Sequence, residues 1–138
     1  MCEAATSMHP AYFTTRFSVA GPMPEWPDEF VIISAHATTG ERWSMAESER
    51  ADLELQEALG DSGVWYRGIA GFAPDTAHAE PSWAAPLPFA AACDLGLRFR
   101  QDAIFHVEGD LLSVTHCDHR RQLVRVGSFR ERLERGGT

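Results

Sequence analysis

The chain has no lysine: all 12 of its Lys+Arg residues are arginines. A phosphate-binding P-loop needs a lysine after a glycine-rich turn, so that class is excluded. No apolar run approaches the roughly 20 residues of a membrane span, so no membrane partner is expected. The opening Met1-Cys2-Glu3-Ala4-Ala5-Thr6 has neither a basic patch nor an apolar core and does not read as a signal peptide. Three cysteines, Cys2, Cys93 and Cys117, form no disulfide framework, and a reduced, cytoplasmic setting is the expectation. Repeats, low-complexity stretches and cofactor-binding motifs are missing, so no cofactor is assigned. Arginine without lysine, beside abundant alanine, is a compositional mark of a GC-rich bacterial or phage genome and carries no mechanism.

What is present fits one domain over residues 1–138, with a loose leader over 1–11 and a basic segment over 117–138. The net charge of −8 excludes general nucleic-acid affinity. It is unevenly spread. From His116 onward six arginines stand against Asp118, Glu131 and Glu134, a local net of +3 that leaves −11 on the remainder. Either the basic end folds back on the acidic body or it docks a partner.

The pattern is organised around residues 101–114. Gly109-Asp110 joins two β-rich runs as a hairpin turn. With that turn, Glu108 faces Leu111. Ala103, Phe105, Val107, Leu112, Val114 and His116 then share a core face, and Ile104, His106, Glu108, Leu111, Ser113 and Thr115 share the other. Upstream, residues 12–19 read as a strand, and three prolines force an extended loop that Trp26 pins to the body. The run 30–35 is apolar on both faces and reads as the central strand. Ser44 to Glu47 reads as a capping box opening a helix with Ala51, Leu55, Ala58 and Leu59 inward and its end at Gly60. Residues 64–72 are β-like. Residues 80–85 read as an edge strand, since Pro81 removes a ladder donor. Pro86 and Pro88 open a second helix with Phe89, Ala92, Cys93 and Leu97 inward. Residues 122–126 add a strand, and Ser128 caps a terminal helix over 129–135. The fold class is α+β: a mostly antiparallel mixed sheet, two main helices packed on it and a C-terminal β-hairpin.

Three constellations bear on chemistry. The loop 36–44 leaves a central strand and enters a helix N-terminus, where N–H donors and the positive dipole end suit an anion. His36, Thr38, Thr39 and Arg42 are its candidate ligand-binding residues; the alternative is hydroxyls satisfying the loop's own backbone. Glu80, His106 and Gln101 form the second: a carboxylate beside an imidazole is acid–base equipment, so Glu80 and His106 are the catalytic candidates and Gln101 a ligand contact. The alternative is a buried network fixing strand register. The third is His116-Cys117-Asp118-His119. Neighbouring strand residues point opposite ways and no second pair completes a four-ligand site, so no metal is assigned. Trp43, Trp65 and Trp83 serve equally as a planar pocket or as core. Cys93 reads as a small core residue.

Ile33-Ser34-Ala35 with Thr39-Gly40, the capped helix, Glu80-Pro81-Ser82 and Gln101-Asp102-Ala103-Ile104-Phe105 together resemble the bacterial proteins grouped as domain of unknown function 3293, over about residues 12–115. The resemblance implies a small single-domain protein without an established activity, and supports Glu80 and Gln101 as site members. That family's pattern has Asn-Pro where this chain has Ala37-Thr38, asparagine where Ser48 and Asp52 stand, and glycine where Arg100 stands. Two readings follow. One is a domain binding a small polar or phosphorylated ligand beside the first helix. The other is a non-catalytic accessory protein, of the kind found in phages and mobile elements, that docks a protein partner.

Overall fold

A computed structural model describes residues 10–35, 45–72 and 79–136. The strands are β1 (Arg16–Ala20), β2 (Glu29–Ile33), β3 (Arg67–Phe72), β4 (Ala79–Ala85), β5 (Ala103–Glu108), β6 (Leu111–His116), β7 (Val124–Ser128) and β8 (Leu133–Gly136). The helices are α1 (Met45–Asp61) and α2 (Phe89–Arg98). All eight strands form one sheet in the order β7-β6-β5-β2-β4-β3-β1-β8. Every neighbouring pair is antiparallel except β1 with β8, which is parallel. The fold is α+β, as the sequence indicates.

The two strands at the ends of that order are consecutive in the chain. Only residues 129–132 join β7 to β8, with a 3-10 turn at Arg130–Arg132. So short a link reaches at most roughly 18 Å, whereas eight strands laid flat would set the outermost pair roughly 34 Å apart. The sheet therefore curls around an inner face. That face holds Phe17, Val19, Phe30, Ile32, Ile69, Ala84, Val107, Leu112 and Phe129. Phe129, from the link itself, packs against Phe17, Phe30 and Trp26 at ring-centroid distances of 5.8, 5.4 and 5.3 Å. Trp26 also stacks on Phe30, which is how the proline-rich loop is pinned to the body.

The outer face carries both helices. Val31, Ile33, Ala85 and Ile104 pack there with Leu55 and Leu59 of α1 and Ala92 and Cys93 of α2. Strand β2 alternates between the two cores, which is why its sequence is apolar without a break. Trp83 Nε1 donates to Asp52 Oδ1 at 2.9 Å and ties α1 to β4.

The hairpin has the expected register, from Glu108↔Leu111 to Ala103↔His116 around a Gly109-Asp110 turn with Gly109 at φ 64°. Four expectations are corrected. Residues 12–19 divide into a 3-10 turn (Pro10–Phe13) and a shorter β1. Helix α1 runs through Gly60, and the left-handed residue after it is Gly63, φ 73°. Strand β4 is interior, not an edge. The Pro81 carbonyl points toward the β2 side, where Ser34 Oγ donates to it at 3.1 Å. In an antiparallel ladder the nitrogen of a residue points the same way as its carbonyl, and β2 has already ended there, so proline forfeits no ladder bond. Finally, 129–135 forms no α-helix. Ser128 Oγ accepts from Glu131 N at 3.3 Å and caps a single 3-10 turn, after which Leu133 pairs with Phe17.

The α2 stripe also differs from expectation. Leu97 is 47% exposed, and the buried position is Gly96. A Cβ at Gly96 would lie 2.5 Å from Cys117 Sγ and 3.3 Å from Ile104 Cγ2. Gly96→Ala should therefore destabilise the fold by about 1–3 kcal/mol, although alanine is the better helix former. In a Cys117→Ala background the penalty should shrink, and urea unfolding of the four chains reads both effects.

Candidate functional site

Strand directions place several chain segments at one end of the curled sheet. Strand β2 ends there at Ile33 and β3 at Phe72; β4 and β5 begin there at Ala79 and Ala103; β6 ends there at His116; β1 begins there at Arg16. Alternation from Ile32 puts Ser34 on the inner face, and alternation from Ala84 through Ser82 puts Glu80 on it too. The two meet: Ser34 Oγ donates to Glu80 Oε1 at 2.8 Å. Carrying the β2–β5 register two residues past Ile32↔Phe105 brings Ser34 level with Ala103, which faces His116. The inner face at this end is thus a row of small or polar groups, His116, Ala103, Ser34 and Ser82, with Glu80 beyond and Gly71 opposite it. Further along, the same face is filled by aromatic rings.

Tyr12, from the 3-10 turn before β1, enters the same region. Its ring meets Phe105 edge-on at 5.9 Å. Burial, and then the charges of Asp102, Glu80 and the Cys117 thiol, push its phenol up to about 12. It is a protonated hydroxyl at every physiological pH. Gln101 is buried beside this end and its Nε2 donates to Phe99 O at 3.1 Å. Asp118 is gripped by Arg120 through Nε and Nη2, and the guanidinium holds it well below the usual carboxylate range.

The expected convergence of Glu80 with His106 does not form. His106 faces Val31 and Ser113, so it lies on the outer face, against Phe89 of α2 with ring centroids 6.2 Å apart. Its Nε2 pairs with Glu29 Oε2 at 2.8 Å. A single step of strand alternation separates Phe105, which faces Tyr12, from His106, which faces the helices. His36, Thr38, Thr39 and Arg42 lie outside the described residues, as do Ala37, Trp43 and Ser44. Ser34 and Tyr12 escaped the sequence reading as site members. Ser34 could have been flagged as the polar end of an apolar strand, whereas nothing local marks Tyr12.

Other groups resolve into structure. His116 faces inward and Cys117 outward, as alternation requires. Burial pushes the Cys117 thiol up to about 12 and raises that of Cys93. Two arginines of the basic segment turn back onto the body, Arg121 pairing with Asp94 at 2.8 Å and Arg132 Nη1 donating to Thr15 O at 3.2 Å, and Glu134 of that segment pairs with Arg16 of β1 at 2.8 Å. No helix among the described residues is long and apolar enough to cross a membrane.

A family model described as "Protein of unknown function (DUF3293)" matches residues 33–104, just over half of the chain. The chain belongs to this family. No curated protein and no solved structure matches it. The span matched by the family contains Ser34, Glu80, Gln101 and Asp102, and leaves Tyr12 and His116 outside. It also contains Arg100, where the resemblance implies glycine. Arg100 has φ 59° and follows α2 in a left-handed turn: Arg100 N donates to Leu97 O at 3.0 Å and Gln101 N to Gly96 O at 2.8 Å. This is the Schellman arrangement, whose left-handed residue favours glycine. It sets the direction in which the chain delivers Gln101 to the site.

Two outcomes check this geometry. Arg100→Gly should be more stable than Arg100→Ala by about 1 kcal/mol, since both lose the side chain and only alanine keeps the Cβ strain; thermal unfolding of the pair decides it. In a Tyr66→Phe background, alkaline titration at 295 nm should place the Tyr12 midpoint about 12. A folded pKa raised above the unfolded value stabilises fully below the unfolded pKa, about 10, and that contribution fades as pH climbs toward 12.

Proposed function

We propose that the inner-face end of the curled sheet binds a small polar ligand, with Glu80 as its principal acceptor and Ser34, Gln101 and Tyr12 as neighbours. One observation carries this reading. Separate segments bring the Ser34 hydroxyl, the Glu80 carboxylate and the Tyr12 phenol to one end of an interior otherwise filled by aromatic rings, with the buried Gln101 amide beside it. Polar groups of that kind, set on a concave apolar surface, are the usual make-up of a ligand pocket. Residues 36–44 link the end of β2 to α1 in the chain, so His36, Thr38, Thr39 and Arg42 are carried into this proposal as further ligand contacts. Acid–base chemistry between Glu80 and His106 is not proposed, because the sheet stands between them.

A thermal-shift panel of metabolites and nucleotides on the full chain tests the reading, since stabilisation grows with the excess of ligand over its dissociation constant. Glu80→Gln preserves the shape and Ser34's hydrogen bond but removes the charge. It should fold and lose the ligand-induced shift. His106→Gln, altered on the opposite face, should melt lower and keep the shift. A flat panel, or a shift that survives Glu80→Gln and disappears with His106→Gln, would remove the proposal.

A further inference from the structure

The end of the curled sheet away from Ser34 and Glu80 is covered by a loop and not by a strand. Strand β1 ends there at Ala20, β2 begins there at Glu29 and β3 at Arg67, and the Gly109-Asp110 turn lies there too. Residues 21–28 bridge β1 to β2, which β3 and β4 separate in the sheet. Three of these residues are prolines, Pro22, Pro24 and Pro27.

The grip of this segment on the body is narrow. At its first end Arg67 Nη2 donates to Ala20 O and to Pro22 O, both at 2.8 Å, on either side of Gly21, which has φ 78°. At its last end Gly109 N donates to Asp28 O at 2.7 Å. Between them, residues 23–27 form no hydrogen bond among the described residues. What holds the middle is one indole. Trp26 stacks on Phe30 at 5.3 Å and meets Phe129 and Trp65 edge-on at 5.3 and 6.1 Å. Trp65 and Met23 beside it are exposed. The indole is also held at a cost. Trp26 Nε1 is buried and has no acceptor among the described residues. A buried donor without a partner is destabilising, and water supplies the acceptor once the ring swings out.

We infer that residues 21–28 are a strap that lifts off this end as a unit, with Trp26 as its plug and Arg67 as its catch, while the sheet stays paired. Prolines fix φ at three positions, so the segment turns as one stiff piece about Gly21. Few hydrogen bonds and a single packed side chain are the marks of a segment that opens locally. Lifting uncovers Phe30 and Phe129 and opens the aromatic interior from the end remote from Ser34 and Glu80. The strap owes nothing to ligand binding at that other end.

Hydrogen exchange of the full chain, followed by NMR, reads the strap. The Trp26 indole N–H is the resonance absent from Trp26→Phe. Its protection should be at least about tenfold lower than that of the slowest amides of the β5–β6 hairpin. Its rate should stay flat in low urea, because a local opening exposes little surface, while the hairpin amides speed up. Arg67→Met keeps the aliphatic stem and removes both bonds of the catch. It should speed Trp26 exchange roughly tenfold, since bonds from a charged donor are the stronger kind. His106→Gln weakens the part that stays paired, so it should speed the hairpin amides and leave the Trp26 rate unchanged. Trp26 protection equal to the hairpin's, with the same urea slope, would make the indole fixed core and overturn the strap. So would a Trp26 rate that follows His106→Gln and ignores Arg67→Met.

Discussion

The curl of the sheet depends on a link of four residues. Because 129–132 must carry the chain from one end of the strand order to the other, β7 and β8 cannot lie far apart, and the strands between them must bend around something. What they bend around is Phe129, held among Phe17, Phe30 and Trp26. The link is fixed from the hairpin turn. Phe129 N donates to Asp110 O at 2.8 Å, Arg130 N donates to Asp110 Oδ1 at 2.8 Å, and Ser128 Oγ donates to Asp110 Oδ2. The bond from Ser128, and then that from Arg130 N, hold the Asp110 carboxyl below its ordinary value. The turn that closes the hairpin thus also anchors the segment that closes the sheet.

That constraint gives the sheet two unlike faces, and the division explains the fate of each polar residue. On the outer face, polar groups meet helix residues and become structural: Trp83 with Asp52, His106 beside Phe89. On the inner face the aromatic filling stops short of one end, and there Ser34, Glu80, His116 and Tyr12 come together. A residue one step along a strand changes from one role to the other.

The hairpin was legible because its information is local. A two-residue turn and strict alternation determine its register without reference to the rest of the chain. The central strand was legible for a related reason: an unbroken apolar run can only be covered on both sides. Where tertiary pairing overrides local preference, the sequence misleads. Pro81 argues for an edge, yet β2 happens to end where its missing N–H would have donated. Ser128 and the charged run after it argue for a helix, yet Leu133 finds a partner in β1 after one turn. Of the site, Glu80 and Gln101 could be singled out by residue type. The separation of His106 from Glu80 could not be read, because it depends on which neighbour β4 takes and hence on which face Glu80 shares.

The parallel pairing of β8 with β1 has a kinetic consequence. Phe17 lies beside Leu133, so the first strand finds its outer neighbour only when nearly the last described residues are in place. Bringing such distant stretches together costs loop-closure entropy before any contact repays it, and topologies of this kind fold slowly. During synthesis the hairpin and the helices can gather as they emerge, while β1 keeps an unpaired edge until β8 arrives. In a sheet this is the kind of edge on which a nascent chain is open to mispairing.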